Sequence, residues 1–130
     1  MSYLFVMLGG GLGALGRYAV SRTIDKMFSA KLGGFPIGTL VVNAAGALLI
    51  GFLFGLFETY TASAKARLFA ITGFLGGWTT FSTYSLDTAR LFSSGNLKQA
   101  LLNIVLNNAV CIILVLAGIN ISKILNRVVQ

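Results

Sequence analysis

The sequence predicts an all-α integral membrane protein of four transmembrane helices, with a break in the third. Three observations lead there. Of 130 residues, 56% are hydrophobic and only 10% are charged, which excludes an ordinary soluble domain. Four apolar stretches, about 3–20, 37–57, 68–86 and 100–119, each approach the roughly 20 residues that cross a bilayer as a helix. The third stretch carries Gly73, Gly76 and Gly77, then Thr79, Thr80, Ser82, Thr83 and Ser85. Glycines weaken a helix, and hydroxyl groups at bilayer depth are tolerated only against protein or along a watery path. A helix broken at the midplane also presents backbone groups that can hold ions, so this segment points to permeation rather than to packing alone.

Taken in order, the first span carries Gly9, Gly10, Gly11, Gly13 and Gly16. No basic residue precedes it and Arg17 lies near its far end, so it is read as a retained helix and not as a removable signal. Gly11-Leu12-Gly13-Ala14-Leu15-Gly16 formally matches a dinucleotide fingerprint, but that motif needs a βαβ unit and an acid about 20 residues on. Gly9-xxx-Gly13 reads instead as a close helix-packing face, as does Gly51-xxx-Gly55 in the second span. The first loop, roughly 21–35, is the longest and most basic, and Pro36 suits the opening turn of the second helix. Residues 58–67 form a short polar connection. Ser94-Gly95 marks a turn, and Asn96 is expected to cap the fourth helix with Gln99 three residues on. Repeats and linkers are absent, so residues 1–130 read as a single four-helix domain.

Composition removes several function classes. Histidine is absent, Cys111 is the single cysteine, and the acids are Asp25, Glu58 and Asp87, all near helix ends. One chain therefore offers no disulfide and no zinc ligand set, and too few titratable groups for an enzyme. Proton-coupled carriers hold an intramembrane acid or histidine, and neither occurs within these spans. The net charge of +7 is read as interface anchors and not as a nucleic-acid surface. With four spans, one side of the membrane holds Lys65, Arg67, Lys123 and Arg127, and the other holds Arg22, Lys26, Lys31, Arg90 and Lys98. Arg17 is left out because it falls within the first span. Orientation follows the Lys/Arg bias, and four against five is almost none. The expectation is insertion in both directions and an antiparallel homodimer in membrane lipid; the alternative is one orientation set by cellular machinery.

Polar groups within the spans complete the reading. Asn43 lies in the second, and Asn103, Asn107 and Cys111 follow at intervals of four on one face of the last, with Asn108 beside them. Interhelical hydrogen bonding is one account of such asparagines. A pore lining is the favoured one, because the stripe would face a broken, hydroxyl-rich span. Uncharged amide and hydroxyl donors suit a small anion that must shed water. Phe81 and Tyr84 are three residues apart, and aromatic rings carry a positive edge that can meet such an anion, although aromatics at this spacing also serve packing.

These residues resemble the Fluc (CrcB) family of bacterial fluoride channels over essentially the whole chain. The likeness rests on Gly16-Arg17-Tyr18, on Gly38-Thr39-Leu40-Val41-Val42-Asn43, and most specifically on Gly73-Phe74-Leu75-Gly76-Gly77-Trp78-Thr79-Thr80-Phe81-Ser82-Thr83. The resemblance implies a dual-topology antiparallel dimer in the bacterial inner membrane that conducts fluoride passively and confers fluoride resistance. It implies a pore at Asn43, Phe81, Ser82, Thr83, Tyr84, Asn103 and Asn107, with Arg17 at its vestibule. It also implies a structural sodium ion at the dimer interface, held by the backbone carbonyls of Gly76 and Thr79. The chain departs from the family's usual pattern at Tyr84, where phenylalanine is common, and at Asn103 and Asn107, where many members have tyrosine and serine. Two other readings stand beside this one. A small multidrug-type exporter would need an acid in the first span, which is absent here. An accessory membrane subunit accounts for the packing glycines but not for the polar third span.

Overall fold

The computed structural model describes residues 2–60 and 62–129. Helix α1 spans Ser2–Phe28, a 3-10 turn covers Ala30–Leu32, and α2 spans Ile37–Thr59. The third helix is built in pieces. Helix α3, Ala64–Arg67, runs into a π-helical segment, Leu68–Leu75, then α4, Gly76–Trp78; after Thr79 and Thr80 the chain resumes as α5, Phe81–Ser93. Helix α6 spans Leu97–Val129. Among the described residues there is no strand. Three helices, α1, α2 and α6, are long and apolar enough to cross a membrane unbroken, and the remaining passage is the interrupted one. This is an all-α membrane protein of four helices with the third broken, as the sequence predicts.

The helix ends lie beyond the expected spans. Helix α1 continues to Phe28 because no glycine or proline interrupts it after Gly16, and Thr23 and Arg22 bond back four residues to the Ala19 carbonyl and the Tyr18 hydroxyl. The first loop is therefore confined to residues 29–36, closed by Gly33 and Gly34 at φ 63° and 84°, a left-handed region that only glycine enters cheaply. Helix α6 begins at Leu97 and passes well beyond residue 119. The expected capping arrangement at its start does not form. Asn96 Nδ2 donates to Ser94 Oγ at 3.1 Å, and Gln99 Nε2 donates to the carbonyls of Leu32 and Gly33 at 3.1 and 3.0 Å. Gln99 thus ties the start of α6 to the α1–α2 turn rather than reaching back along its own helix.

Helices in lipid gain nothing from hiding apolar groups from one another, so close backbone approach must hold them. Two glycine contacts provide it. In α1, a Cβ on Gly9 would lie 2.4 Å from the Phe69 carbonyl oxygen, and one on Gly13 would lie 2.0 Å from that of Phe74. The approach is mutual, since Cβ atoms on Gly73 and Gly77 would strike the carbonyls of Val6 and Gly10 at 2.9 and 2.4 Å. Between α2 and α6, Gly51 sits against Val115 and Gly118 against Leu48, at 2.1 and 2.3 Å by the same measure. Both sequence-predicted packing faces, Gly9-xxx-Gly13 and Gly51-xxx-Gly55, are used this way. Gly11 and Gly13 lie within one continuous helix, which rules out the strand-to-helix turn a dinucleotide site needs.

The start of α2 gathers two of the chain's acids. Asp25 Oδ1 accepts from the Gly38 N–H at 2.8 Å, and Asp87 Oδ2 accepts from Thr39 Oγ1 at 2.8 Å. Negative charge is favourable at the positive end of a helix, so these contacts fix where α2 begins and dock α1 and α5 onto it. Replacing Gly51 with valine should separate α2 from α6 and lower the melting temperature in detergent by several degrees, at a cost of about 1–3 kcal/mol for overpacking. Gly11→Ala, at a position with open space around it, should melt no lower than wild type. Equal melting of Gly51→Val and wild type would refute the close contact.

Candidate functional site

The site grows from the interruption between α4 and α5. Thr79 and Thr80 are extended, with ψ of 155° and 116°, so the helix cannot continue through them. The Thr79 N–H still closes on the Leu75 carbonyl at 3.0 Å. A continuous helix would next give the Thr80 N–H to the carbonyl of Gly76. Instead that N–H donates to Asn43 Oδ1 at 2.8 Å, and Asn43 Nδ2 donates back to the Thr80 carbonyl at 3.1 Å. One side-chain amide thereby replaces both backbone partners of one peptide residue. Thr80 then restarts the helix, its hydroxyl accepting from the Thr83 N–H at 3.1 Å. The same hydroxyl donates to Thr83 Oγ1 at 3.0 Å and lies 3.2 Å from Ser82 Oγ.

Neighbouring helices hold the residues before the break. Arg17 Nε donates to the Gly77 carbonyl at 3.1 Å, placing a cation at the carbonyl end of α4. Trp78 Nε1 donates to the Val42 carbonyl at 2.8 Å. Gly16 and Gly46 make room for this indole, since Cβ atoms there would lie 2.8 and 3.0 Å from its ring. Among the described residues no donor reaches the carbonyls of Gly76 and Thr79, which the break has released from helical pairing.

From Asn43 a one-way chain of hydrogen bonds crosses to α6 and returns to α5. Asn43 Nδ2 donates to Asn107 Oδ1 at 3.0 Å, Asn107 Nδ2 to Asn103 Oδ1 at 2.8 Å, and Asn103 Nδ2 to Thr88 Oγ1 at 2.9 Å. Thr88 Oγ1 donates to the Tyr84 carbonyl at 2.8 Å. Both ends fix the direction. The Thr80 N–H can only donate, so the Asn43 atom facing it is oxygen; the Tyr84 carbonyl can only accept, so Thr88 must take its own hydrogen bond from Asn103. Every amide between them is oriented as a consequence. Asn103 is wholly buried and Asn107 nearly so.

A cavity of about 320 Å³ opens beside the break, lined by Asn43, Ala47, Ile50, Thr79, Thr80, Phe81, Tyr84, Asn107, Asn108, Cys111 and Val115. It brings together four of the expected pore residues: Asn43, Phe81, Tyr84 and Asn107. The Phe81 and Tyr84 rings meet edge to face, with centroids 5.3 Å apart. Phe81 is 76% exposed on the single chain, whereas Tyr84 is buried. Three expected pore residues, and the expected vestibule residue Arg17, are placed elsewhere. Asn103 lies behind the wall, its amide consumed in the chain of bonds. Ser82 and Thr83 sit on the first turn of α5 around the Thr80 hydroxyl, outside the cavity lining. Arg17 lies on the far side of the break, at Gly77. Sequence reasoning passed over Trp78, Thr80 and Thr88 as supports. The spacing of Thr80, Tyr84 and Thr88 at every fourth residue was the available signal for the last two.

Comparison with known proteins gives the family. The family model described as CrcB-like protein, Camphor Resistance (CrcB) matches residues 4–119. The chain belongs to that family. Its similarity extends to a protein of Hydrogenobaculum sp. named fluoride-specific ion channel FluC, 46% identical over 119 residues, covering 91% of this chain and 94% of the relative. Proteins of the same name in Clostridium perfringens and Parabacteroides distasonis are 42% and 40% identical, covering 94% and 91% of this chain and 94% and 90% of their own lengths. In this CrcB-family chain the third helix is interrupted at Thr79 and Thr80, which are extended and not helical.

Asn43→Leu should leave Thr80 with two unmade backbone bonds at about 1–3 kcal/mol each, and melt well below wild type. Asn43→Asp keeps the acceptor for the Thr80 N–H but sets carboxylate oxygen against the Thr80 carbonyl and Asn107 Oδ1, and should also melt lower. Thermal unfolding in detergent checks both; two variants as stable as wild type would remove Asn43 from its place at the break.

Proposed function

We propose that this CrcB-family protein is a fluoride-selective passive channel of the bacterial inner membrane, working as an antiparallel homodimer and lowering cytoplasmic fluoride. The observation that carries the reading is the cavity beside the helix break. Its polar wall is made of uncharged amides and hydroxyls, and its aromatic wall offers ring edges. Fluoride is small and tightly hydrated, so a pore must substitute donors and polarised edges for its water, yet release it at the far end. A wall without fixed charge lets the ion go, while the ring edges and the Tyr84 hydroxyl stand in for its water. Among the described residues no acid or histidine lines the cavity to couple protons to its passage. The relatives named above carry the fluoride-channel name across nearly their full lengths.

The residues divide by task. The Phe81 edge meets the anion, and Tyr84 and Asn107 complete the wall. Asn43, whose two amide hydrogens are both engaged, holds that wall in shape, and Asn103 orients Asn107 from behind. Ser82 and Thr83 offer hydroxyls along the first turn of α5, and Arg17 adds a positive field that draws anions toward the break. A second, oppositely inserted copy accounts for what one chain leaves open. Phe81, Ser82 and Asn108 are exposed at membrane depth on the single chain, and polar side chains there require cover from protein. The near-equal Lys/Arg count on the two sides permits that insertion.

The donor set fits a structural sodium ion at the same break. The carbonyls of Gly76 and Thr79 have lost their helical donors, and unwound backbone carbonyls are known sodium ligands in membrane proteins. When bound, the ion would neutralise these carbonyls where two breaks meet. Undissociated HF crosses membranes and dissociates in a more alkaline cytoplasm, and the membrane potential then drives the trapped anion out through such a channel.

Liposomes containing only the purified chain should release fluoride rapidly, and chloride little, once valinomycin clamps the potassium counter-flow. Phe81→Ile, at an exposed ring that the chain's own fold does not need, should reduce fluoride release at least tenfold while the protein still folds. Wild-type vesicles that hold their fluoride, or that lose chloride equally fast, would refute the channel reading.

A further inference from the structure

The Tyr84 ring ends in a hydroxyl, and the structure fixes which way that hydroxyl is used. Asn108 Nδ2 lies 2.7 Å from the Ile104 carbonyl and 3.1 Å from Tyr84 Oη. The Ile104 carbonyl can only accept, so the atom facing it must be the amide nitrogen, and the second hydrogen of that nitrogen is the one directed at Tyr84. The phenolic oxygen is therefore an acceptor toward Asn108, and its own hydrogen has to point elsewhere. Among the described residues no acceptor takes it. Tyr84 is only 9% exposed, its ring is held edge to face against Phe81, and both it and Asn108 line the cavity beside the break. A buried phenol with a spoken-for oxygen and an unclaimed hydrogen, set in the wall of a cavity, is a donor waiting for an anionic guest.

We infer that the Tyr84 hydroxyl, oriented by Asn108, donates a hydrogen bond to the fluoride ion as it passes through this cavity. The inference rests on the fluoride-channel reading above. An O–H donor to an anion forms a shorter and stronger bond than a neutral pair, and far stronger than a C–H edge. Asn108 is a positioning residue: by occupying the phenolic oxygen it prevents the hydroxyl from turning toward the α6 backbone and leaves its hydrogen for the cavity. The hydroxyl at 84 and the amide at 108 thus form one device that holds fluoride more tightly than a bare ring at the same position could.

The test is a double-mutant cycle on fluoride flux from liposomes, read as the fluoride concentration that gives half-maximal flux. Tyr84→Phe removes a single oxygen and keeps the ring, so it should fold as wild type. It should raise the half-maximal concentration about tenfold, the size expected for losing one hydrogen bond to a charged group. Asn108→Leu should raise it by a similar factor, and the double variant by no more than either alone, because the two groups act through one hydrogen. A half-maximal concentration unchanged in Tyr84→Phe overturns the inference and leaves the channel reading intact. So does a double variant whose effect is the product of the single ones. A wild type that conducts no fluoride overturns the channel reading and this inference with it.

Discussion

The pairing of the Asn43 amide with the Thr80 peptide is the interaction on which the rest of the site depends. Inside a bilayer there is no water to accept a freed backbone group, and an unmatched N–H or C=O there costs several kcal/mol. A helix can break at that depth only if something supplies partners at the break itself. Asn43 supplies both for Thr80, donor and acceptor, from one planar group at 3.1 and 2.8 Å. With Thr80 held extended, the carbonyls of Gly76 and Thr79 lose their helical donors, Thr80 can cap α5, and Phe81 is carried to the rim of the cavity. The glycines at Gly16 and Gly46 belong to the same construction, since they admit the Trp78 indole that docks the preceding turn between α1 and α2.

The bonds running on from Asn43 make the polar interior a single oriented unit. Side-chain amides can in principle flip, exchanging donor for acceptor. Here the Thr80 N–H at one end and the Tyr84 carbonyl at the other admit one orientation only, so Asn107 and Asn103 are fixed between them. A buried network of this kind is stable when every member is satisfied and costly when one is lost. It also shows how the chain accommodates asparagine at 103 and 107. These amides span the distance from α2 to Thr88 by linking to each other.

Much of this was legible in the sequence because lipid narrows the options. Runs of apolar residues near 20 long announced the helices, and glycine pairs four apart announced where backbones touch. Glycine followed by threonine and serine in the third span announced the break. Helix ends were less legible. Residues 17–28 carry charges that mark the exit from the membrane but no glycine or proline to end the helix, so α1 runs on past its apolar stretch. Long-range partners were less legible still. Gln99 had the spacing of a local capping residue, yet it reaches a turn 66 residues away in sequence. Asn103 had the spacing of a pore lining, yet the packing of α5 against α6 turns it toward Thr88. In each case the local pattern gave a residue's chemistry correctly, and tertiary packing chose the partner.

A side chain, and not the preceding helical turn, accepts the Thr80 amide hydrogen. Scalar coupling measured by NMR across that hydrogen bond, on isotopically labelled protein in detergent micelles, tests it directly. Coupling between the Thr80 amide nitrogen and the Asn43 side-chain carbonyl carbon is the predicted result. Coupling to the backbone carbonyl of Gly76, as an unbroken helix requires, would contradict the account.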